Sequence, residues 1–227
     1  MKKRIALILT GTMLMGFVLS ACGDNESTEK KDEKTENSVE TSSNANNRTT
    51  FTVGFDAEYP PYGYMDENGE YTGFDLELAE AVCKLEGWEL VKKPINWDAK
   101  DMELNSGAID CIWNGFTMNG REDEYTFSTP YVDNSQVIVV AENSGINTPE
   151  DLAGKTVGVQ AASAALELLQ SDEKDGQKAL ADTFGALNEF ADYNTAFTEL
   201  QAGALDALAI DIGVANYQIK SRGEGYK

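Results

Sequence analysis

Arg121 is the residue whose type and setting point most directly to chemistry. It is the only arginine between Phe51 and Lys220, and it ends a glycine-containing segment at 114–121. A guanidinium presents a planar fork of N–H donors that matches the two oxygens of a carboxylate. Arg121 therefore fits a carboxylate-binding site, and it fits equally well a surface ion pair with the acidic run at 122–124. The sequence leaves both open.

Two further segments could contribute to the same site. Residues 161–163 follow a strand predicted at 156–160 and open a helix, and Asp211 follows a strand that begins at Ala207. The segment that ends in Arg121 likewise follows a predicted strand. In α/β proteins, loops and helix N-termini converge at the carboxyl ends of the strands, where ligands bind. We therefore expect these three segments to form one site.

Composition excludes several kinds of function. The chain has 227 residues, of which 18 are basic and 39 acidic, for a net charge of −21 and a pI of about 4.2, and it contains no histidine. Catalysis by Ser-His-Asp or Cys-His groups and most zinc sites are therefore excluded, whereas carboxylate or lysine chemistry is still available. The negative charge opposes binding to nucleic acid. The sequence favours a binding protein over an enzyme, and no metal or cofactor is expected.

The N-terminal residues predict export. Basic residues at 2–4 precede an apolar run at 5–19, which is typical of a secretory signal peptide. The run ends in Leu-Ser-Ala before Cys22, which resembles the bacterial lipobox and implies a lipoprotein signal peptide at 1–22 with a lipid on the Cys22 sulfur. A plain signal peptide with an incidental cysteine is the alternative. Residues 23–50 are almost entirely polar, and we expect a disordered tether there.

An internal repeat organises the rest of the chain. Residues 104–113, Leu-Asn-Ser-Gly-Ala-Ile-Asp-Cys-Ile-Trp, correspond to residues 200–209, Leu-Gln-Ala-Gly-Ala-Leu-Asp-Ala-Leu-Ala. Each copy reads as a helix that ends in glycine, followed by a buried strand. The repeat predicts an α/β fold with two lobes of mostly parallel sheet flanked by helices: lobe I at 51–141, including an apolar strand at 137–141, and lobe II at 142–227. Two unrelated uses of a common helix–strand connection are the alternative.

Two local predictions concern lobe I. A helix is predicted from Asp75, with Gly87 ending it. The apolar face of that helix is predicted to consist of Phe74, Leu78, Val82 and Leu85. Cys83 and Cys111 could form a disulfide in an exported protein, but they read better as small buried thiols.

Several motifs together resemble a known family. They are Asp56-Ala-Glu-Tyr-Pro-Pro-Tyr62, Gly73-Phe-Asp-Leu76, the segment from Gly107 to Thr117, Arg121, and Phe127-Ser-Thr-Pro-Tyr131. The chain from Phe51 onward resembles the polar amino-acid solute-binding proteins of ABC importers, family 3 of the bacterial extracellular solute-binding proteins. The resemblance implies a periplasmic-binding-protein-like fold with a ligand cleft between the lobes. It also implies a monomeric receptor, lipid-anchored on the outer face of the cell membrane, that binds a free amino acid and delivers it to a permease.

The resemblance also implies roles for individual residues. Arg121 would bind the α-carboxylate of the ligand, with Thr117 and the backbone at Ala162 and Ser163. The residues that would hold its α-ammonium group are Asp211, the Gly115 carbonyl and the Thr117 hydroxyl. The residues that would surround its side chain are Tyr59 and Trp97, with Asp56 where side-chain polarity is sensed.

The chain departs from the family in two places. The loop from Thr117 to Arg121 is one residue shorter than in many relatives, and the segment that would return from lobe II to lobe I is expected to be missing. We therefore expect a fragment. The other functions that the resemblance allows are a sensor domain of the same fold and a dehydratase-like enzyme.

Overall fold

The computed structural model describes residues 49–223 and 225–227. The predicted signal peptide, Cys22 and most of the predicted tether lie outside these residues, whereas Thr50, the last residue of the predicted tether, already begins the first strand. In this part of the chain, no helix combines the length and the apolar character needed to cross a lipid bilayer.

Lobe I contains a parallel sheet whose first strand begins at Thr50. Its elements are β1 (Thr50–Phe55), β2 (Glu58–Tyr59), β3 (Gly63–Met65), β4 (Tyr71–Thr72), α1 (Phe74–Glu86), β5 (Glu89–Pro94), a 3-10 turn (Trp97–Ala99), α2 (Lys100–Asn105) and β6 (Cys111–Ile112). The strands β5, β1 and β6 form the parallel sheet in that order, and β2, β3 and β4 form a small antiparallel sheet.

Lobe II contains a mixed sheet of four strands. Its elements are β7 (Gln136–Val140), a 3-10 turn (Pro149–Leu152), β8 (Thr156–Gln160), α3 (Ala164–Gln170), α4 (Lys178–Ala181), β9 (Ala186–Phe190), α5 (Tyr193–Ala202), β10 (Ala207–Asp211) and α6 (Ile212–Arg222). The strand order is β7-β10-β8-β9, and only β7 is antiparallel to its neighbour. Residues 113–135, here called the connecting segment, join the two lobes.

The sequence repeat is one structural unit that is used twice. In lobe I, Thr52 and Asp110 form two hydrogen bonds with each other. The Thr52 N–H donates to the side-chain Oδ2 of Asp110 at 2.7 Å, and the Asp110 N–H donates to the Thr52 carbonyl at 2.8 Å. Thr156 and Asp206 form the same pair in lobe II, at 2.8 and 2.9 Å. Each repeated aspartate therefore fixes the last strand of its unit beside the first one.

A close approach inside each unit explains a glycine in its central strand. A Cβ atom at Gly54 of β1 would lie 2.4 Å from Cδ1 of Ile109, and one at Gly158 of β8 would lie 2.5 Å from Cδ1 of Leu205. Ile109 and Leu205 occupy the same position of the repeat. The predicted α/β fold with two similar lobes is confirmed by these paired contacts and by the two sheets.

The strand predicted for lobe I at 137–141 belongs to lobe II. The strand β7 pairs antiparallel with β10, from Val140 opposite Ala207 to Gln136 opposite Asp211. Because β10 is buried along its whole length, the peptide groups on its side away from β8 need partners other than water, and β7 supplies them. The border between the two lobes therefore lies within the connecting segment rather than after residue 141.

The predicted apolar face of α1 is also wrong. The helix buries Asp75, Leu76, Ala79 and Cys83, whereas 84% of Leu85 is exposed and Phe74 and Val82 are exposed as well. The buried side is the one that packs against Val53 and Phe55 of β1. The sulfur of Cys83 is a buried thiol and is not bonded to Cys111.

Candidate functional site

One cleft brings together most of the residues that the sequence assigned to a ligand. It lies where the carboxyl ends of β6, β8 and β10 meet the connecting segment. The predicted site residues that line it are Tyr59, Trp97, Gly115, Thr117, Arg121, Ser163 and Asp211. Ala162 and Asp56 are the two predicted residues that lie beside the cleft rather than on its wall.

Arg121 lies in this cleft and not on the surface. Only 4% of the residue is exposed, and its guanidinium lies 4.7 Å from the ring centre of Phe116. Nε and Nη2 both donate to Oε1 of Glu167, at 3.1 and 2.5 Å, and Nη1 donates to the Thr117 carbonyl at 3.2 Å. The alternative of a surface pair with residues 122–124 is therefore wrong. A carboxylate of the chain itself, from α3 in lobe II, already contacts the guanidinium.

Asp211 is the buried negative charge of the cleft. Its Oδ1 accepts hydrogen bonds from Nδ2 of Asn134 and Nε2 of Gln136, both at 2.6 Å, and its Oδ2 accepts one from the Tyr193 hydroxyl at 3.3 Å. Within residues 49–223 and 225–227, no lysine or arginine forms an ion pair with Asp211. Neutral donors alone thus surround this carboxylate, and a buried carboxylate is stabilised much better by a cation.

The three acceptors predicted for an ammonium group converge on one point. Nδ2 of Asn134 lies 3.4 Å from the Gly115 carbonyl oxygen, 3.2 Å from the Thr117 hydroxyl oxygen and 2.6 Å from Oδ1 of Asp211. Gly115 has a φ of +57°, in the left-handed region that favours glycine. A single nitrogen atom at this point therefore reaches all three acceptors.

The turn before α3 carries the other predicted carboxylate contacts. Ser163 is the buried N-cap of α3, and its hydroxyl accepts the Leu166 N–H at 3.2 Å. Ala162 has a φ of +53°, which is uncommon for a residue with a side chain. The Ala162 carbonyl accepts a hydrogen bond from Nζ of Lys100 at 3.4 Å, so that lobe I contacts this turn directly. Burial lowers the pKa of Lys100, with the neighbouring Asp101 opposing the shift.

Aromatic side chains form part of the wall of the cleft. Tyr59 stacks on Tyr62 with ring centres 5.5 Å apart, and Trp97 meets Phe116 edge to face at 5.4 Å. Both Tyr59 and Trp97 are buried. The pair predicted to enclose a ligand side chain is thus held in place by contacts with other rings.

Asp56 reaches the cleft through Gln160. Nε2 of Gln160 donates to Oδ2 of Asp56 at 2.7 Å, and the Glu58 N–H donates to Oδ1 at 2.8 Å. Burial raises the pKa of Asp56 to about 6, and these two hydrogen bonds only partly oppose the shift. Gln160 itself lines the cleft. The carboxyl group of Asp56 therefore lies one side chain behind the wall.

Sequence reasoning missed several residues of the site. They are Lys100, Asn114, Asn134, Gln136, Gln160 and Glu167. Gln160 carries a signal, because it ends β8 and the carboxyl ends of strands were already expected to form the site. Asn134 and Glu167 carry none, because each lies in a polar or helical stretch with no distinguishing spacing.

Comparison with known proteins gives the family. Residues 51–211 match the model of the bacterial extracellular solute-binding proteins, family 3. The L-cystine-binding protein TcyJ of Escherichia coli is 33% identical over 167 residues, which are 72% of this chain and 59% of that protein. The arginine-binding extracellular protein ArtP of Bacillus subtilis is 29% identical over 97% of this chain and 77% of its own length. The chain thus spans well under two thirds of the length of the cystine-binding protein.

Solved structures agree with the sequence relatives. A substrate-binding protein of an ABC uptake transporter from Streptococcus pneumoniae, with bound histidine, has a TM-score of 0.74 and 35% identity and covers 78% of this chain and 73% of its own. An ancestral arginine-binding protein bound to arginine has a TM-score of 0.71 and 37% identity, over 79% of this chain and 78% of its own. The chain therefore belongs to family 3 of the bacterial extracellular solute-binding proteins.

Proposed function

We propose that this protein is an extracytoplasmic receptor that binds a polar amino acid as a zwitterion between its two lobes and delivers it to an ABC permease. The observation that carries the proposal is the pair of opposite buried charges, Arg121 and Asp211, on the wall of one cleft. A zwitterion that leaves water needs a partner for each of its charges. Arg121 offers hydrogen-bond donors to a carboxylate, and Asp211 offers acceptors to an ammonium group.

The ammonium site has the stronger support. Asp211 is buried among neutral donors, and the Gly115 carbonyl and Thr117 hydroxyl converge with it on one point. Three acceptors around one point match the three N–H bonds of a primary ammonium group. We propose that Arg121 binds the α-carboxylate with Thr117 and the turn at Ala162 and Ser163, where Ser163 lines the same cleft.

The side chain of the ligand would lie between Tyr59 and Trp97. Relatives in this family bind cystine, arginine or histidine according to their names, so a polar amino acid is the class we propose. Asp56 would sense the polarity of that side chain from behind the cleft wall, through its hydrogen bond with Gln160, which lines the cleft. The carboxyl group of Asp56 favours a ligand with a hydrogen-bond donor or a positive charge.

Anchoring and delivery rest on sequence motifs and on the family. The lipobox-like Leu-Ser-Ala before Cys22 supports a lipid anchor on the outer face of the cell membrane. The similarity to a substrate-binding protein of an ABC uptake transporter supports docking on a permease, which we propose for a monomer. Replacing Cys22 by alanine should release the protein from the membrane fraction or block its processing. Unchanged partitioning into detergent would refute the anchor.

An enzyme of the same fold is the less supported alternative. One structural neighbour, with a TM-score of 0.69 and 30% identity, is an ancestral amino-acid-binding protein described as a precursor of cyclohexadienyl dehydratase. The cystine-binding and arginine-binding relatives are binding proteins, and this chain has no histidine to serve as a general base near neutral pH.

A ligand screen tests the proposed function. The full chain is purified in detergent, and its melting temperature is measured with each amino acid; a ligand at 100 times its Kd should add about 2.7 kcal/mol of stability. Calorimetry on the best ligand then compares wild type with Asp211→Asn, which keeps the shape of the side chain and removes its charge. We expect a loss of roughly a hundredfold or more in affinity. The proposal fails if no amino acid shifts the melting temperature, or if Asp211→Asn binds as well as wild type.

A further inference from the structure

We propose that Asn134 is a built-in competitor of the ligand: its side-chain amide occupies the ammonium position of the cleft, and an incoming amino acid must displace it. This inference rests on the proposed function and names the residue that regulates its affinity. Nδ2 of Asn134 donates to Oδ1 of Asp211 at 2.6 Å and lies within 3.4 Å of the Gly115 carbonyl and the Thr117 hydroxyl. An ammonium nitrogen bound by these acceptors would need the same point in space.

An ammonium group is the better occupant of this position. The three acceptors present more oxygen atoms than an amide NH2, with its two N–H bonds, can satisfy at once, whereas a primary ammonium carries three N–H bonds and a full positive charge. The amide also leaves its own carbonyl unsatisfied: among the described residues, the buried Oδ1 of Asn134 has no hydrogen-bond partner. Asn134 is thus a weak substitute that a ligand can replace.

Asn134 has somewhere to go when it is displaced. It is half-buried in the connecting segment, two residues before β7, and its neighbours Val132, Asp133 and Ser135 are exposed. A change of side-chain rotamer would bring its amide to water, where both the N–H and the carbonyl groups are satisfied. The displacement therefore needs no rearrangement of β7 or of the sheet.

Gln136 provides the matched comparison. Its Nε2 donates to the same Oδ1 of Asp211 at the same distance of 2.6 Å, and its carbonyl oxygen is likewise buried without a partner in the described part of the chain. The hydrogen bonds of Gln136, however, do not extend to Gly115 or Thr117. Gln136 should therefore stay in place when a ligand ammonium binds, and only Asn134 competes with it.

The opposite end of the cleft has a similar arrangement. The guanidinium of Arg121 is hydrogen-bonded to the carboxylate of Glu167, just as the carboxylate of Asp211 is hydrogen-bonded to the amide of Asn134. Without a ligand, each charged group of the cleft is thus paired with a side chain of the chain itself. At the ammonium end the overlap with the ligand position is complete, and the proposal is confined to that end.

The test compares Asn134→Ala and Gln136→Ala in the full chain, by calorimetry with the amino acid that wild type binds best. We expect Asn134→Ala to bind about tenfold more tightly or better, which corresponds to about 1.4 kcal/mol or more, and Gln136→Ala to bind no more tightly than wild type. Asn134→Ser, whose side chain is too short to reach the three acceptors, should repeat the gain if the alanine variant folds poorly. The deaminated 2-oxo acid of the same ligand should bind the Asn134 variants no better than wild type, because it has no ammonium group to use the vacated position.

Each outcome decides the proposal. Equal or weaker binding by Asn134→Ala and Asn134→Ser would overturn it, and so would an equal gain in Gln136→Ala, since the effect would then come from Asp211 alone. A gain for the 2-oxo acid as large as that for the amino acid would overturn it too. If neither wild type nor any variant binds an amino acid, the proposed function is refuted together with this inference; if wild type binds and the Asn134 variants show no gain, only the inference is refuted.

Discussion

Gln160 and Asp56 occupy equivalent positions in the two lobes and are hydrogen-bonded to each other. Asp56 follows β1 and Gln160 ends β8, each two residues after the glycine that its strand needs, and Nε2 of Gln160 lies 2.7 Å from Oδ2 of Asp56. The repeat therefore does more than build two similar sheets. It brings the carboxyl ends of their central strands together at one buried point beside the cleft.

This contact predicts how ligand charge is selected. Above a pH of about 6 the Asp56 carboxyl is ionised and attracts a positive charge; below that pH it becomes neutral, because burial raises its pKa to about 6. If the ligand side chain is cationic, we expect its affinity to fall by roughly tenfold between pH 7.5 and pH 5, a loss of about 1.4 kcal/mol. Ligands with neutral side chains should change by less than about threefold.

Asp56→Asn and a matched control identify the responsible group. Asp56→Asn should abolish this pH dependence for a cationic ligand, whereas Glu58→Gln should retain it, since Glu58 is exposed outside the cleft. Calorimetry at the two pH values measures the effect. An equal pH dependence in Asp56→Asn and wild type would show that another group is responsible.

Asp75 predicts a pH effect on stability that is separate from binding. It is buried in the first turn of α1, where desolvation raises its pKa from 3.8 to about 6 despite a hydrogen bond of 2.9 Å from the Tyr131 hydroxyl. Because the folded protein then holds its proton to a higher pH than the unfolded chain does, the free energy of unfolding falls as the pH rises from 3.8 to about 6 and is level above that. Asp75→Asn removes this loss.

Urea denaturation at pH 4 and pH 7.5 measures the contribution of Asp75. Relative to wild type, Asp75→Asn should gain roughly 2 kcal/mol more at pH 7.5 than at pH 4, where the unfolded carboxyl is already partly ionised. Glu77→Gln, an exposed carboxylate in the same turn of α1, is the control and should show the same difference from wild type at both pH values. A stability difference for Asp75→Asn that does not change with pH would contradict the prediction.

The paired glycines test whether the two lobes are one unit used twice. Gly158→Ala should destabilise the protein by about 1–3 kcal/mol, because its new Cβ would press on Leu205. Leu205→Ala alone removes a buried side chain and should cost about 2–5 kcal/mol. The double variant should lose less than the sum of the two single changes, because the new methyl group fills part of the space that Leu205 leaves. Gly54→Ala and Ile109→Ala should behave alike in lobe I. The equivalence of the lobes would be refuted if one glycine tolerated alanine without any loss of stability.

The sequence predicted the units of this fold better than their borders. Gly107 with Asp110 and Gly203 with Asp206 revealed the repeat, because each glycine ends a helix with a positive φ and each aspartate binds its central strand. The strand β7 was assigned to the wrong lobe, because its apolar pattern predicts burial and cannot tell which edge will pair with it. That choice depends on β10, which is far away in sequence.

The candidate site shows the same difference between local patterns, which the sequence predicts, and contacts between distant residues, which it does not. Arg121 and Asp211 were identified from their place after strands, where backbone geometry brings side chains together whatever lies between them. Asn134 and Glu167 were missed because their roles depend on a contact with one distant residue each, Asp211 and Arg121. A contact of this kind leaves no period or motif in the sequence, and only the folded chain reveals it.

Arg121→Ala is the sharpest test of the carboxylate end. Arg121 is buried, and three of its contacts, with Glu167 and Thr117, hold the guanidinium plane while leaving further N–H donors for a ligand. Removing one partner of a buried charge pair costs about 3–5 kcal/mol, which corresponds to roughly a hundredfold to several thousandfold in affinity. Arg121→Lys keeps the charge and loses the planar fork, so it should recover only part of that loss.

A modified ligand separates lost recognition from lost structure. Amidating the α-carboxylate should weaken binding strongly in wild type and only slightly in Arg121→Ala, because the variant no longer recognises that charge. The ligand-free melting temperature should fall little, since Glu167 is half-exposed and stays hydrated, so that the change leaves no buried charge without a partner there. If calorimetry finds Arg121→Ala within about threefold of wild type, the guanidinium holds Glu167 alone, and the ligand carboxylate must bind elsewhere in the cleft.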